Sequence, residues 1–122
     1  MTTTDDLHAQ ARGVLDDAVA LRRELHLHPE LGTDLPRTQA KVLAALDGLG
    51  LEVRTGTALT SVVADLVGGA GDGPTILLRG DMDALPMPED TGLDFASTVD
   101  GAMHACGHDA HTAMLVGAAA VL

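Results

Sequence analysis

The chain has 122 residues, about the length of one domain, and 46% of them are hydrophobic, which is enough apolar material for a packed core. Its 18 acidic and seven basic residues give a formal net charge of −11. Proteins that bind nucleic acids or anionic membranes need a basic face to neutralise phosphates, so this composition argues against both classes of partner.

The start of the chain lacks the basic and apolar regions of a signal peptide. No apolar run approaches the roughly 18 residues that span a bilayer. The single cysteine, Cys106, cannot form an internal disulfide. These features predict a cytoplasmic protein.

Two helices are predicted in the first half of the chain. Apolar residues recur at three- and four-residue steps over about residues 5–28, with Thr4 or Asp5 as the cap and Pro29 as the stop. A second helix is predicted over residues 36–49, because Pro36 suits the first turn of a helix and Gly50 suits the position just after its end.

The apolar pattern then changes to that of strands. Residues 51–55 alternate, and residues 61–66 form a second strand candidate before the glycine-rich break at 68–74. Residues 75–79 are an apolar run suited to a central strand that is covered on both faces. We therefore expect an α/β fold in which 62–66 and 75–79 belong to a mainly parallel sheet flanked by helices.

After a loop over residues 80–104, the last segment, 109–122, predicts a helix that is apolar on nearly every side and therefore buried. This helix shows no polar last turn, cap or stop residue. We therefore expect the chain to be part of a larger domain.

Two aspartates follow the predicted central strand in the string R-G-D-M-D-A-L-P. Side chains two apart on an extended chain point the same way, so Asp81 and Asp83 are expected to face one site at the carboxyl end of the strand. The alternative is an acidic turn in which one aspartate caps a neighbouring backbone group.

A second cluster, M-H-A-C-G-H-D-A-H, brings three imidazoles, one thiol and one carboxylate into residues 104–111. Thiolate and imidazole ligands suit zinc, and carboxylates broaden the choice towards manganese. Gly107 lets the backbone bend so that Cys106 and His108 can converge on one ion, and the helix that follows favours the thiolate.

Other interpretations of these residues remain open. In these interpretations, Cys106 is either an inert buried cysteine or a nucleophile with a histidine as its base. His104 then only orients a loop, and His111 is an ordinary histidine on a helix face. The neighbouring aspartates and histidines favour metal binding over thiol chemistry. His26 and His28, two apart near a helix end, are interpreted as structural or surface residues.

Three strings in the same order resemble the N-terminal portion of metal-dependent N-acyl-amino-acid amidohydrolases: R-R-E-L-H-L-H-P-E-L-G, L-R-G-D-M-D-A-L-P and M-H-A-C-G-H-D-A-H-T-A-M-L-V-G-A-A. This family includes hippurate hydrolases and auxin-conjugate (indole-3-acetyl-amino acid) hydrolases, and it is related to aminoacylases and zinc carboxypeptidases. The resemblance runs from about Leu21 to Leu122.

The resemblance implies that Cys106 and His108 bind metal in a site of two divalent ions, which are zinc, manganese, cobalt or nickel. It also implies that Asp83 supports the metal-bound histidines. Asp81 stands where distant peptidase relatives carry a metal-binding histidine, and the resemblance assigns no ligand role to Asp109 or His111.

The implied reaction is hydrolysis of the amide bond of a small N-acyl amino acid by metal-activated water, with a glutamate as general base. In the family that glutamate, further ligands and an inserted dimerisation domain follow the segment that this chain resembles. Residues 1–122 are thus expected to be an incomplete N-terminal part of a zinc-peptidase-like catalytic domain, inactive alone, whose intact form is a homodimer or a higher assembly. The alternative is a small metal-binding or interaction domain without catalysis.

Overall fold

The computed structural model describes residues 2–122, which form four helices and one two-stranded sheet. The elements in chain order are α1 (Thr4–Gly13), α2 (Leu15–Leu27), α3 (Pro36–Leu46), β1 (Glu52–Thr55), β2 (Val62–Asp65) and α4 (His108–Val121). Helix α4 packs against the other three helices, most extensively against α2. None of the described helices has the length and apolarity to cross a membrane.

The predicted helix over residues 5–28 is two helices, because the chain leaves helical geometry at Val14 (φ −102°, ψ 1°). Gly13 directly precedes this position, and glycine weakens a helix. The cap of α1 is Thr3 rather than Thr4 or Asp5: its hydroxyl accepts from the Asp6 amide, while the Asp6 carboxylate accepts from the Thr3 amide.

Helix α3 begins at the predicted proline and ends three residues before the predicted end, at Leu46. Its preceding residue, Leu35, has no side chain that could cap it. The carboxylate of Glu30 takes this role by accepting from the amides of Arg37 at 3.2 Å and Thr38 at 2.7 Å. An anion at this end also suits the helix dipole.

The predicted strands near 51–55 and 61–66 are present, but β1 and β2 pair with each other antiparallel, with Glu52 opposite Asp65. The expected strand at 75–79 is wrong for this structure, since these residues form no ladder, and Ile76 and Leu77 are 78% and 87% exposed. A strand exists only where a neighbour satisfies its amides and carbonyls. Within residues 2–122 no segment pairs with this run, so the mainly parallel sheet is not formed here.

Helix α4 starts one residue earlier than predicted, after Gly107 in the left-handed conformation (φ 81°). Its burial is confined to one face, where Asp109, Thr112 and Ala113 are buried. Met114 and Leu122 are 62% and 71% exposed, so the expectation of a helix buried on nearly every side is wrong for this structure.

Gly80→Ala should destabilise the protein. A Cβ at this position would lie 3.1 Å from the backbone oxygen of His111 and 3.3 Å from Leu115 Cδ2, so the chain would have to move away from α4. We expect a loss of about 1–3 kcal/mol, typical of overpacking, measured by urea denaturation. Gly68→Ala is the matched control, because a Cβ there meets nothing within 4 Å; equal midpoints for the two variants would contradict this packing.

Candidate metal centre

The segment that carries Asp81 is fixed against the first turns of α4. The Thr112 hydroxyl donates to the backbone oxygen of Asp81 at 2.7 Å. Gly80 allows the close approach, because its α-carbon faces the backbone of His111 without a side chain between them. The acidic string after residues 75–79 therefore lies beside the histidines of α4.

His108 is oriented by Asp83. Its Nδ1 lies 2.8 Å from the backbone oxygen of Asp83 and 3.0 Å from Asp83 Oδ1. Both partners are acceptors, so Nδ1 carries the proton, and Nε2 of the neutral ring keeps a lone pair. A carboxylate or carbonyl on one ring nitrogen is the usual arrangement for a histidine that binds metal through the other.

Three possible ligands lie close to one another. One ligand atom each from Asp81, His108 and His111 lies within 4.8 Å of the other two. Asp81 Oδ2 is 3.6 Å from His108 Nε2, and the two imidazole rings are 5.5 Å apart between centroids. Cys106 is a free, exposed thiol and is not a member of this group, so its role as a ligand stays a prediction.

Behind this site lies a buried polar network. Asp109 is fully buried, and its Oδ2 lies 2.7 Å from Arg22 Nε and 2.7 Å from His26 Nδ1. The other nitrogen of His26 is 3.0 Å from Glu89 Oε1. These four side chains, here called the Asp109 network, join α2, α4 and the loop over residues 80–104.

Sequence reasoning interpreted His26 as structural, which agrees with its burial, but did not find its carboxylate partners. Arg22 and His26 are four residues apart and so share a face of α2. From that spacing alone, the sequence could have predicted that both side chains contact the same acidic group. Nothing in the local sequence indicated that this group is Asp109, 83 residues beyond His26.

The side chain of Glu89 is only 2% exposed. Burial alone raises its pKa, but hydrogen bonds from the Thr91 hydroxyl, the Ser97 amide and His26, together with the attraction of His26, outweigh that effect. The pKa of Glu89 is therefore lowered from 4.5 to about 2. Glu89 is ionised at neutral pH and holds the loop to α2.

His104 lies in the core rather than in the ligand group. It is 4% exposed, and neither of its ring nitrogens has a hydrogen-bond partner. Burial lowers the pKa of His104 below 6.5, and the attraction of Asp109 only partly opposes this. The ring is therefore neutral at pH 7 and packs near His26, with 6.2 Å between their centroids.

Asp109→Asn should destabilise the protein strongly. The variant keeps the shape but removes the charge that compensates Arg22 and His26, and disruption of a buried ionic network costs about 3–5 kcal/mol. Chemical denaturation at pH 7 measures the loss. Asp94→Asn, at an exposed position, is the control; a similar small effect in both would show that the Asp109 network does not stabilise the fold.

Glu89 should make stability depend on pH in the acid range. Its folded-state pKa lies below the ordinary value, so the stabilisation is complete above about pH 4.5 and is lost as the pH falls towards 2. Denaturation curves of the wild type and Glu89→Gln should therefore differ most above pH 4.5 and converge below it. A constant difference across this range would contradict the lowered pKa.

Comparison with known proteins supports a relationship to metallohydrolases. Residues 77–122 match the family described as Peptidase family M20/M25/M40. The chain is 47% identical to N-acetyl-L-cysteine deacetylase of Bacillus subtilis over 85% of its length, and 42% identical to IAA-amino acid hydrolase ILR1-like 5 of Arabidopsis thaliana over 93%. It spans 25% and 26% of those two proteins.

A solved structure extends this similarity to the fold. The YXEP protein of Bacillus subtilis, described as a dinuclear metal binding peptidase from the M20 family, superposes with a TM-score of 0.79 at 43% identity. The match covers 86% of this chain and 29% of that one. Residues 77–122 thus match Peptidase family M20/M25/M40, and the chain as a whole is similar to less than a third of the length of these hydrolases.

Proposed function

We propose that this chain is the N-terminal part of a metal-dependent amidohydrolase that cleaves the amide bond of small N-acyl amino acids. The observation that carries the proposal is the state of His108, whose Nδ1 is held by Asp83 while Nε2 faces a group of further ligands. The substrate class is supported by the names of two similar proteins, N-acetyl-L-cysteine deacetylase and IAA-amino acid hydrolase ILR1-like 5. Both names describe an amino acid that carries an acyl group.

His108 and Cys106 are the proposed metal ligands. The thiol of Cys106 is exposed and not part of a disulfide, and it lies two residues before the start of α4. Imidazole and thiolate suit zinc, cobalt or nickel, and the neighbouring carboxylates also accept manganese. A pair of such ions, as described for the YXEP protein, would supply the Lewis acidity that activates water and polarises the amide carbonyl.

Asp83 is the proposed positioning residue. By holding the proton on Nδ1 of His108, it fixes the ring orientation and increases the basicity of Nε2. Its own side chain is 43% exposed, so solvent still reaches the carboxylate.

The glutamates nearest to this site already have structural roles. Glu30 caps α3, and Glu89 is held by His26, Thr91 and Ser97. Both carboxylates are therefore already engaged by hydrogen bonds within the fold. We therefore propose that the general base, and the remaining metal ligands, come from a part of the protein outside residues 1–122.

The finer features expected from the sequence belong to that longer protein. In it, residues 75–79 would pair with further strands in a mainly parallel sheet, and residues 1–122 would be an incomplete part of the catalytic domain. A separate dimerisation domain, a homodimeric or higher assembly and a cytoplasmic location complete the proposal.

The metal ligands can be tested in the longer protein by metal titration. His108→Ala and Cys106→Ala should each weaken binding or remove one ion, because each removes a ligand. Asp83→Asn should cost about 10–100-fold in affinity, the usual effect of a partner that orients a ligand. His8→Ala, exposed on α1, should change nothing; unchanged stoichiometry and affinity in the first two variants would exclude both residues from the site.

The need for the remaining part can be tested by activity. The 122-residue chain should not release amino acid from N-acyl amino acids, even with added zinc or manganese, because it supplies no general base. The longer protein at equal concentration should do so. Metal-dependent turnover by the short chain that Cys106→Ala abolishes would refute this proposal.

A further inference from the structure

We propose that Arg22 and His26 are positioning residues for the metal centre. By binding the buried carboxylate of Asp109, they fix the first turn of α4 and with it the imidazole of His108. The inference rests on the proposed function, because it requires His108 to bind metal. It adds no ligand to the site and instead assigns a role to two residues of another helix, α2.

The contacts with Asp109 come from one face of α2. Arg22 Nε and His26 Nδ1 each lie 2.7 Å from the same oxygen, Asp109 Oδ2. The two donors are four residues apart, so they are neighbours on the helix surface. Hydrogen bonds to a charged acceptor are short and strong. Two of them on one oxygen fix the position of Asp109 both along α2 and around it.

The start of α4 needs such an anchor because it has no side-chain cap. The residue before the helix is Gly107, and no side-chain hydrogen bond caps the helix there. The first amides of a helix lack partners within it, and helix ends fray. Asp109 is the second residue of α4 and is fully buried. Its contacts therefore hold the turn at a point where the helix has no cap of its own.

His108 is then held at two points. Its backbone adjoins Asp109, and its Nδ1 lies 2.8 Å from the backbone oxygen of Asp83. The direction of Nε2 depends on both points, because the side chain of His108 joins them. Ligand groups must be held within about 0.5 Å of their working geometry. A first turn of α4 that was released from α2 would lose this precision without losing a ligand.

The polarity of the Asp109 network also fits a role in positioning. The side chains of Asp109, His26 and Glu89 are 0%, 3% and 2% exposed. Burying such charges costs so much that apolar residues of similar volume often stabilise a fold equally well or better. Apolar packing has no fixed direction, however, whereas these hydrogen bonds exist in only one register of α2 against α4.

The first test compares Arg22→Gln with Arg23→Gln in the longer protein. Both guanidiniums lie 5.0 Å from the centre of the Phe95 ring, but of the two only Arg22 contacts Asp109 within residues 2–122. Arg22 is 33% exposed, and its replacement leaves His26 bound to Asp109, so we expect the variant to fold.

Zinc titration by calorimetry should show about tenfold weaker binding for Arg22→Gln, the lower end of the effect of losing an outer partner of a ligand. Arg23→Gln should bind zinc as the wild type does. The visible absorption of the cobalt-substituted protein reports ligand geometry, so it should shift in Arg22→Gln and not in Arg23→Gln.

The second test separates positioning from stability at His26. Its other nitrogen, Nε2, lies 3.0 Å from Glu89 Oε1. An asparagine amide can replace the donor at Nδ1, and the longer glutamine can replace the donor at Nε2, so each variant keeps one of the two bonds. His26→Gln should weaken zinc binding about tenfold, and His26→Asn should recover most of this loss. Circular dichroism and urea denaturation measure the fold and the stability of both variants.

The outcomes separate this inference from the proposed function. Wild-type zinc affinity and an unchanged cobalt spectrum in Arg22→Gln and His26→Gln, with weakened binding in His108→Ala, would overturn the positioning role alone. Zinc affinity that simply follows the loss of stability in both His26 variants would also overturn it, since that result marks a purely structural role. Unchanged binding in His108→Ala would overturn the proposed function and this inference with it.

Discussion

The structure depends on one buried charge, the carboxylate of Asp109. Removing a carboxylate from water costs several kcal/mol unless hydrogen bonds and opposite charges replace the solvent. Arg22 and His26 of α2 provide that replacement at one of its two oxygens, Oδ2. Because the carboxylate belongs to α4, its compensation is possible only when α2 and α4 are packed at this point, and the most extensive helix contact of the protein is found there.

The same constraint determines the metal centre. Asp109 follows His108 directly in the chain. The contacts of Asp109 with Arg22 and His26 therefore also fix the backbone position of His108. His26 continues the network to Glu89, which lies in the same loop as Asp83, a few residues further along the chain. The candidate ligands His108 and His111 therefore lie in the first turn of α4, which is anchored in the core through Asp109.

Large apolar residues are exposed at two places within residues 2–122. Ile76 and Leu77 have the composition of a buried strand, yet they neither pair nor pack. The outer face of α4 exposes Met114 in the same way. The chain spans less than a third of the hydrolases that it resembles, so the partners of both surfaces would lie in the longer protein that we propose.

The sequence by itself determined the two short strands and the helical segments, apart from the break at Val14. Periodicity predicted α3 and α4 to within a few residues, and the motif around His108 indicated metal chemistry, because these signals are local. Only the tertiary structure decided that residues 75–79 stay unpaired, since a strand is defined by a neighbour and not by its own residues. It also decided that Asp109 belongs to the core, because Asp109 meets His26 only when α2 and α4 pack together. His111, on the same helix, instead lies near Asp81.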